Sequence, residues 1–277
     1  MAIYVFSDVH GQLNALETML DHLSPSSEDV LYMLGDMVDR GPDPVGVMKL
    51  CRDYPNMHVL MGNHEKMMLD CLRIDHSLYA CYDWEHNGCD TTRVGLDALE
   101  RSEYNELLDW VEQLPLYKLC TVGDQSYVLV HAGIMPPVAY TLKKLFGTDE
   151  IDGTFWTEEH LTTLLENQDR EDLLWIREDF WGKPTGLVDK NGVGPVVIAG
   201  HSPTVLVERY VNASNRGALD DEGRMRMLRV GACELTGGVA DRLAIDCGAG
   251  TSQNWGQLMV LRLDDMREFY LPIMKEG

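Results

Sequence analysis

The stretch Gly35-Asp36-Met37-Val38-Asp39-Arg40-Gly41, which follows the apolar run Val30-Leu31-Tyr32-Met33-Leu34, decides how the chain is read. A short β-rich run closed by glycine reads as a strand buried on both faces of a parallel sheet, with Asp36 just past its C-terminal end. Open α/β sheets keep their chemistry at that end. Within five residues the turn offers two carboxylates and a guanidinium, and its flanking glycines allow a tight backbone. Taken alone, the turn fits equally a solvated acidic loop in which Asp39 and Arg40 form an ion pair.

Working outward, the same pattern recurs on both sides. Ile3-Tyr4-Val5-Phe6 exits into Ser7-Asp8-Val9-His10-Gly11, and Leu13, Leu16, Met19, Leu20 and Leu23 then recur at helical spacing. After Gly41 a helix opens at Pro42 and Pro44, and Met57-His58-Val59-Leu60-Met61 is a third strand that exits into Gly62-Asn63-His64-Glu65. Three strand–helix units of this kind predict a parallel sheet with one functional rim. No strand is expected from Lys66 to Gln113, where apolar residues follow helical spacing; this segment, about 66–113, reads as a helical cap-like layer over one edge of the rim. Leu116–Leu119 and Tyr127–Val130 read as paired strands around Gly123-Asp124, the second exiting into His131. Val196–Ala199 exits into Gly200-His201. The remainder is expected to be antiparallel: Leu206–Val211, Arg224–Val230, Leu243–Asp246 and Leu258–Leu263, with Asn212–Gly223 as a mobile loop.

Composition narrows the function classes. The chain has 277 residues, 23 basic and 45 acidic side chains and a net charge of −22, which excludes a broad nucleic-acid or anionic-membrane surface. There is no apolar run of membrane-spanning length and no leader pattern, so a soluble, cytoplasmic, single-domain protein spanning 1–277 is expected. The seven cysteines form no Cys-x-x-Cys pair and read as reduced core thiols. An anionic substrate would need local cations to reverse the acidic field.

Five exits carry Asp8 with His10, Asp36, Asn63 with His64, His131, and His201. Asp, His and Asn without cysteine suit borderline divalent cations such as Mn²⁺, Fe²⁺ or Zn²⁺. A single carboxylate can bridge two metals about 3.5–4 Å apart, holding a hydroxide that attacks phosphorus in line. His22, His58, His76, His86 and His160 lie outside these exits and read as packing or surface histidines.

SDVHG, GDMVDRG, GNHE, HAG and GHSP, in this order, resemble the signature blocks of the phosphoprotein phosphatase branch of the calcineurin-like metallophosphoesterases. The nearest likeness is to the compact bacterial and bacteriophage lambda type of Ser/Thr protein phosphatase, also in GNHEKMMLD, the WEHNG segment, QLPL, the WIRE block and IDCGAG, over about Ile3 to Leu263. Ser7 and Ala132 depart from the more usual glycine. The resemblance implies a sandwich of two β-sheets flanked by helices. It implies two divalent cations, Mn²⁺ first and Fe or Zn as alternatives, the first held by Asp8, His10 and Asp36 and the second by Asp36, Asn63, His131 and His201. It makes His64 the general acid, oriented by Asp39, and Arg40 and Arg177 the clamp on phosphate oxygens. Glu65 is expected to bond Arg40, with contact to substrate as the alternative, and Asn87 to lie either in a plain turn or near substrate.

The implied activity is hydrolysis of phosphoserine or phosphothreonine, with phosphotyrosine also considered, in a phosphoprotein or small phosphate-ester substrate. The alternative is hydrolysis of dinucleoside polyphosphates or other nucleotides. Symmetrical dinucleoside tetraphosphatases resemble the chain too, but often lack the aspartate matching Asp39 and read GNHD where this chain reads GNHE. A non-catalytic scaffold is the third class, and the intact set of residues argues against it.

Overall fold

The computed structural model describes residues 1–211, 217–251 and 254–273. Five strands form the first sheet, in the order β10-β9-β1-β2-β3: β1 (Ile3–Phe6), β2 (Val30–Met33), β3 (Met57–Val59), β9 (Gln257–Arg262) and β10 (Arg267–Pro272). The first three are mutually parallel, with Ile3 opposite Val30 and Leu31 opposite Met57, and β9 runs antiparallel to both β1 and β10. The second sheet has the order β4-β5-β6-β8-β7, from β4 (Tyr117–Val122), β5 (Gln125–Val130), β6 (Val196–Ala199), β7 (Leu228–Val230) and β8 (Arg242–Ala244). Here β5, β6 and β8 are parallel, while β4 and β7 close the edges antiparallel.

Alternation along each strand divides the core into three layers. Val5, Tyr32, Leu34, Leu129, Ile198 and Leu243 point between the sheets and pack as one cluster. Their sequence neighbours point outward. Tyr4, Phe6, Leu31 and Met33 face a helical layer that includes α1 (Leu13–Leu23), α2 (Pro44–Asp53) and α6 (Arg101–Glu112). On the far side Val128, Val130, Val197 and Ala199 face a layer that includes α7 (Ala139–Phe146), α8 (Glu158–Glu166), α9 (Arg170–Trp175) and α10 (Glu178–Trp181). The result is two mixed sheets flanked by helices, an α/β/β/α sandwich, and strands apolar on both faces are its necessary consequence. A fully buried aromatic such as Phe6 contributes enough that truncation to alanine costs about 3–5 kcal/mol.

Between β3 and β4 the described chain is helical: α3 (Asn63–Leu69), a π-helical turn (Asp70–Ile74), α4 (Leu78–His86), α5 (Asp90–Asp97) and α6. Cys71 and Cys81 lie on facing turns of this segment, their Cα atoms 4.6 Å apart, and are joined by a disulfide. The expectation of seven reduced thiols is therefore corrected for this pair; the other five cysteines are free. Chain reversal around Asp75–Ser77, which apolar spacing does not reveal, brings the two together.

Two further expectations are corrected. Leu206–Val211 does not form a strand: the Thr204 N–H donates to the Asp246 carbonyl at 3.0 Å and the chain turns into the short helix α11 (Thr204–Val207). Nor is the C-terminal part wholly antiparallel, because β8 inserts parallel to β6. Part of the expected loop Asn212–Gly223, residues 212–216, lies outside the described residues. No described helix is long and apolar enough to cross a membrane.

Candidate metal centre

The exits of β1 and β2 run side by side beyond the sheet. Asp8 N donates to Gly35 O at 3.1 Å, His10 N to Asp36 O at 2.9 Å and Gly11 N to Met37 O at 2.8 Å. Gly35, at φ +92°, backs onto Gly62, so close that any side chain there would enter the Gly62 backbone. This contact brings the exits of β2 and β3 together.

Glu65, in the first turn of α3, holds the central turn open. Its carboxylate accepts the N–H groups of Gly62 (2.9 Å), Asp36 (2.8 Å), Met37 (2.7 Å) and Val38 (3.2 Å). The expected partnership with Arg40 is thus corrected: four backbone donors at one buried carboxylate outcompete a side-chain pair. Asn87 donates through Nδ2 to Asp83 O at 2.8 Å, while its neighbour Gly88 accepts the Arg40 N–H at 3.0 Å.

Asp36 sits at the centre. Its Oδ2 is 3.6 Å from His10 Nε2 and 4.0 Å from His64 Nε2, and its Oδ1 is 3.5 Å from His131 Nε2. One carboxylate oxygen therefore faces each half of the site. Asn63 Oδ1 lies 2.8 Å from His131 Nε2 and 2.9 Å from His201 Nδ1. Among the described residues, two groups have donor atoms close enough to share a cation, His10–Asp36–His64 and Asp36–His131–His201. Asp8 is in neither; its Oδ2 accepts the His201 N–H at 2.9 Å and the Ser7 hydroxyl.

The donor set fits divalent cations. His10 Nδ1 donates to Val38 O and His131 Nδ1 to Leu34 O, both at 2.8 Å, which leaves the Nε2 lone pair of each ring turned toward Asp36. Burial, then the Arg40 charge, holds His10 and His64 well below the usual imidazole range, and burial, then His131, does the same for His201. Neutral imidazole is the form that binds metal. Burial, then Asp246 and Asp36, pushes Asp8 well up, and burial, then Glu65, pushes Asp36 up. Carboxylates crowded in this way need a cation to stay ionised.

Beside this cluster, His64 Nδ1 meets Asp39 Oδ2 at 2.6 Å. Asp39 also accepts the Trp84 indole N–H and the Thr92 hydroxyl, the latter at 2.6 Å. Burial lifts the Asp39 carboxyl to about 7 against the pull of these donors and of Arg40. Arg40, exposed at the mouth, donates to His64 Nε2 at 2.8 Å and His10 Nε2 at 3.1 Å. Arg177 stands at the break between α9 and α10, half-buried, with its Nε donating to His201 Nε2 at 3.1 Å and Trp175 edge-on to the same ring. All ten residues singled out in the sequence thus converge on one rim. The five outlying histidines do not: His22 faces Phe269, His58 stacks on Tyr32, His76 bonds Cys71 O, His86 stacks on Tyr82 and His160 on Phe155.

The family described as Calcineurin-like phosphoesterase matches residues 1–233. The chain belongs to that family. Calcineurin-like phosphoesterases use divalent metals. The chain is 32% identical over 138 residues to a symmetrical bis(5'-nucleosyl)-tetraphosphatase of Paracidovorax citrulli, a match spanning 49% of this chain and 45% of that protein. Its counterpart from Delftia acidovorans is 34% identical over 140 residues, 49% of this chain and 46% of the relative. The chain thus spans about half the length of the curated relatives it matches. A crystal structure of a candidate diadenosine tetraphosphatase superposes with a TM-score of 0.56 at 15% identity, covering 100% of this chain and 95% of that one, a likeness of fold.

Three further side chains contribute to the site. Trp84 and Thr92 reach Asp39 from 45 and 53 residues away, a separation with no periodic signal. Asp246, buried beside Asp8, stands at a strand exit like the others and was legible as the acid of IDCGAG. Burial lifts its carboxyl to about 6.

Proposed function

We propose that the chain hydrolyses nucleotide polyphosphates of the dinucleoside tetraphosphate class with the help of two divalent cations, Mn²⁺ first and Fe or Zn as alternatives. The carrying observation is that Asp36 presents Oδ1 to His131 and Oδ2 to His10, while Arg40 reaches His10 and Arg177 reaches His201, which shares Asn63 Oδ1 with His131. Similarity to symmetrical tetraphosphatases over about half the chain supports the substrate class. Asp8, His10 and Asp36 would hold one cation, and Asp36, Asn63, His131 and His201 the other. When bound, the pair would supply an activated water and neutralise charge building on the transferring phosphoryl group.

The side chains then have distinct tasks. Arg40 and Arg177 orient the phosphate by charge-assisted hydrogen bonds, and the fork of a guanidinium matches phosphate oxygens two at a time. His64, with Nδ1 engaged by Asp39, would serve as proton donor to the departing oxygen through Nε2. It does so once substrate phosphate draws away the Arg40 guanidinium from which Nε2 now accepts, and the negative charge of that phosphate favours the protonated ring. We read the described chain as one domain in which residues 66–113 form a helical cap; Trp84 and Thr92 of that segment binding Asp39 support this reading.

The Asp39–His64 pair also supports a second reading, a phosphomonoesterase acting on phosphoserine, phosphothreonine or phosphotyrosine. An alkoxide leaving group needs a strong acid more than a nucleotide leaving from an anhydride does. A panel of dinucleoside polyphosphates against phosphopeptides, with Mn²⁺ present, separates the two. A higher kcat/KM on the dinucleotides is expected; preference for phosphopeptides moves the assignment to the second reading, and turnover of neither class removes both.

A further inference from the structure

The rim has a sixth exit, at the end of β8, and the site as assembled above leaves it without a task. Asp246 lies there, 4% exposed. Its backbone is tied to the β6 exit that carries His201: the N–H of Ile245 donates to Ala199 O and that of Thr204 to Asp246 O, each at 3.0 Å. The chain then turns at Gly248, whose N–H donates to Asp246 Oδ1 at 2.8 Å, and returns with Gly250 flat against His10, where a Cβ would enter the imidazole. The Asp246–Gly250 loop therefore walls the Asp8–His10 half of the centre. The charges that act on Asp246 from outside this loop include Arg40 and Arg177, both lining the site, and Asp246 in turn acts on Asp8.

We propose that Asp246 is a positioning carboxylate of the metal centre, which strengthens cation binding in the Asp8–His10 half by adding negative charge behind the groups that touch the ion. The inference rests on the two-cation reading above. A buried carboxylate is costly without a nearby cation. Groups hydrogen-bonded to coordinating side chains typically change metal affinity about 10- to 100-fold, and Asp246, which acts on Asp8 through its charge, is expected to fall within that range. The rival explanation is local: the carboxylate does no more than accept the Gly248 N–H and close its own turn.

Asparagine separates the two, because its side-chain oxygen still accepts the Gly248 N–H while the charge is gone. Metal-stripped wild type and Asp246→Asn are titrated calorimetrically with Mn²⁺, and thermal unfolding of both is followed without metal. The expected result is two binding events in the wild type, one of them weakened about 10- to 100-fold in the variant, with the metal-free Tm unchanged or raised. Equal Mn²⁺ affinities in both proteins overturn the proposal and leave Asp246 as a turn residue. Should Asp246→Asn fail to fold, Asp246→Ser, whose hydroxyl can also accept the turn hydrogen bond, takes its place. Failure of both to fold assigns Asp246 to the fold and overturns the proposal. A wild type that takes up no Mn²⁺ instead overturns the two-cation reading itself, an outcome distinct from equal affinities.

Discussion

The indole Nε1 of Trp84 donates to both carboxylate oxygens of Asp39, at 3.1 and 3.0 Å. A helical segment remote in sequence thereby fixes the group that faces His64. Trp84→Phe keeps most of the buried ring and deletes the donor. Because a hydrogen bond to a charged group is worth about 1.5–3 kcal/mol, kcat should fall roughly 10- to 100-fold with unchanged metal content. Steady-state kinetics and elemental analysis on one preparation check this; full activity would detach the helical segment from the chemistry.

Replacement of His64 itself should discriminate between leaving groups. His64→Asn is expected to slow an alkyl phosphate by about 10²–10⁴-fold and an aryl phosphate with a good leaving group far less. Equal losses on the two substrates would assign His64 to structure or metal geometry.

Among the described residues, Asp36 offers the one carboxylate that faces both groups of donors, Oδ2 toward His10 and Oδ1 toward His131. Asp36→Asn should abolish turnover and lower metal content while circular dichroism stays that of the wild type. Chelation should inactivate the wild type and added Mn²⁺ restore it. Near-normal turnover in the variant would sink the shared-carboxylate arrangement.

Arg177 reaches the site through His201, donating from its Nε at 3.1 Å. Arg177→Ala should raise KM and weaken inhibition by inorganic phosphate together, lower kcat by about 10-fold or more as charge on the transferring phosphoryl loses a partner, and leave metal content unchanged. Unaltered KM and phosphate affinity would return this residue to the role of a surface cation.

Glu65 makes a prediction about stability. Truncation in Glu65→Ala strands the N–H groups of Asp36, Met37, Val38 and Gly62 in the interior. Buried donors left unpaired cost about 1–3 kcal/mol each, so a loss of at least about 3 kcal/mol is expected even after local relaxation. Denaturant unfolding measures it. A loss under 1 kcal/mol, by the same scale, would mean that water replaces the carboxylate.

The three parallel strands of the first sheet and most of the candidate site were legible because they obey local rules. Val30–Met33 and Ile3–Phe6 are short, wholly apolar runs that end in Asp or Gly, and burial on both faces of a sandwich demands that composition. The other features depend on tertiary placement. Thr204–Val207 is as apolar as a strand, and the carbonyl of Asp246, 42 positions on, turns it into a helix. β10 carries polar and charged residues, Arg267 and Glu268 among them, and it forms because β9 offers an open edge. Glu65 reads as an ordinary acidic residue in a helix's first turn; only the folded chain shows three donors arriving from 27 to 29 residues upstream.

Asp8, His10, Asp36, Asp39, Arg40 and His201 all hold positive φ, from 45° to 71°. An L-residue in that region gives up about 1–2 kcal/mol, less for Asp and His, and glycine gives up almost nothing. Selection for thermal stability therefore pulls against selection for turnover most sharply at Arg40, an exposed residue whose long side chain gains little from a left-handed turn. At Asp8, Asp36 and Asp39 glycine would strand the buried donors that their carboxylates accept. A library screened for melting temperature alone should drift to glycine at Arg40. Such a lineage would keep the sandwich, melt higher and lose half of the proposed phosphate clamp.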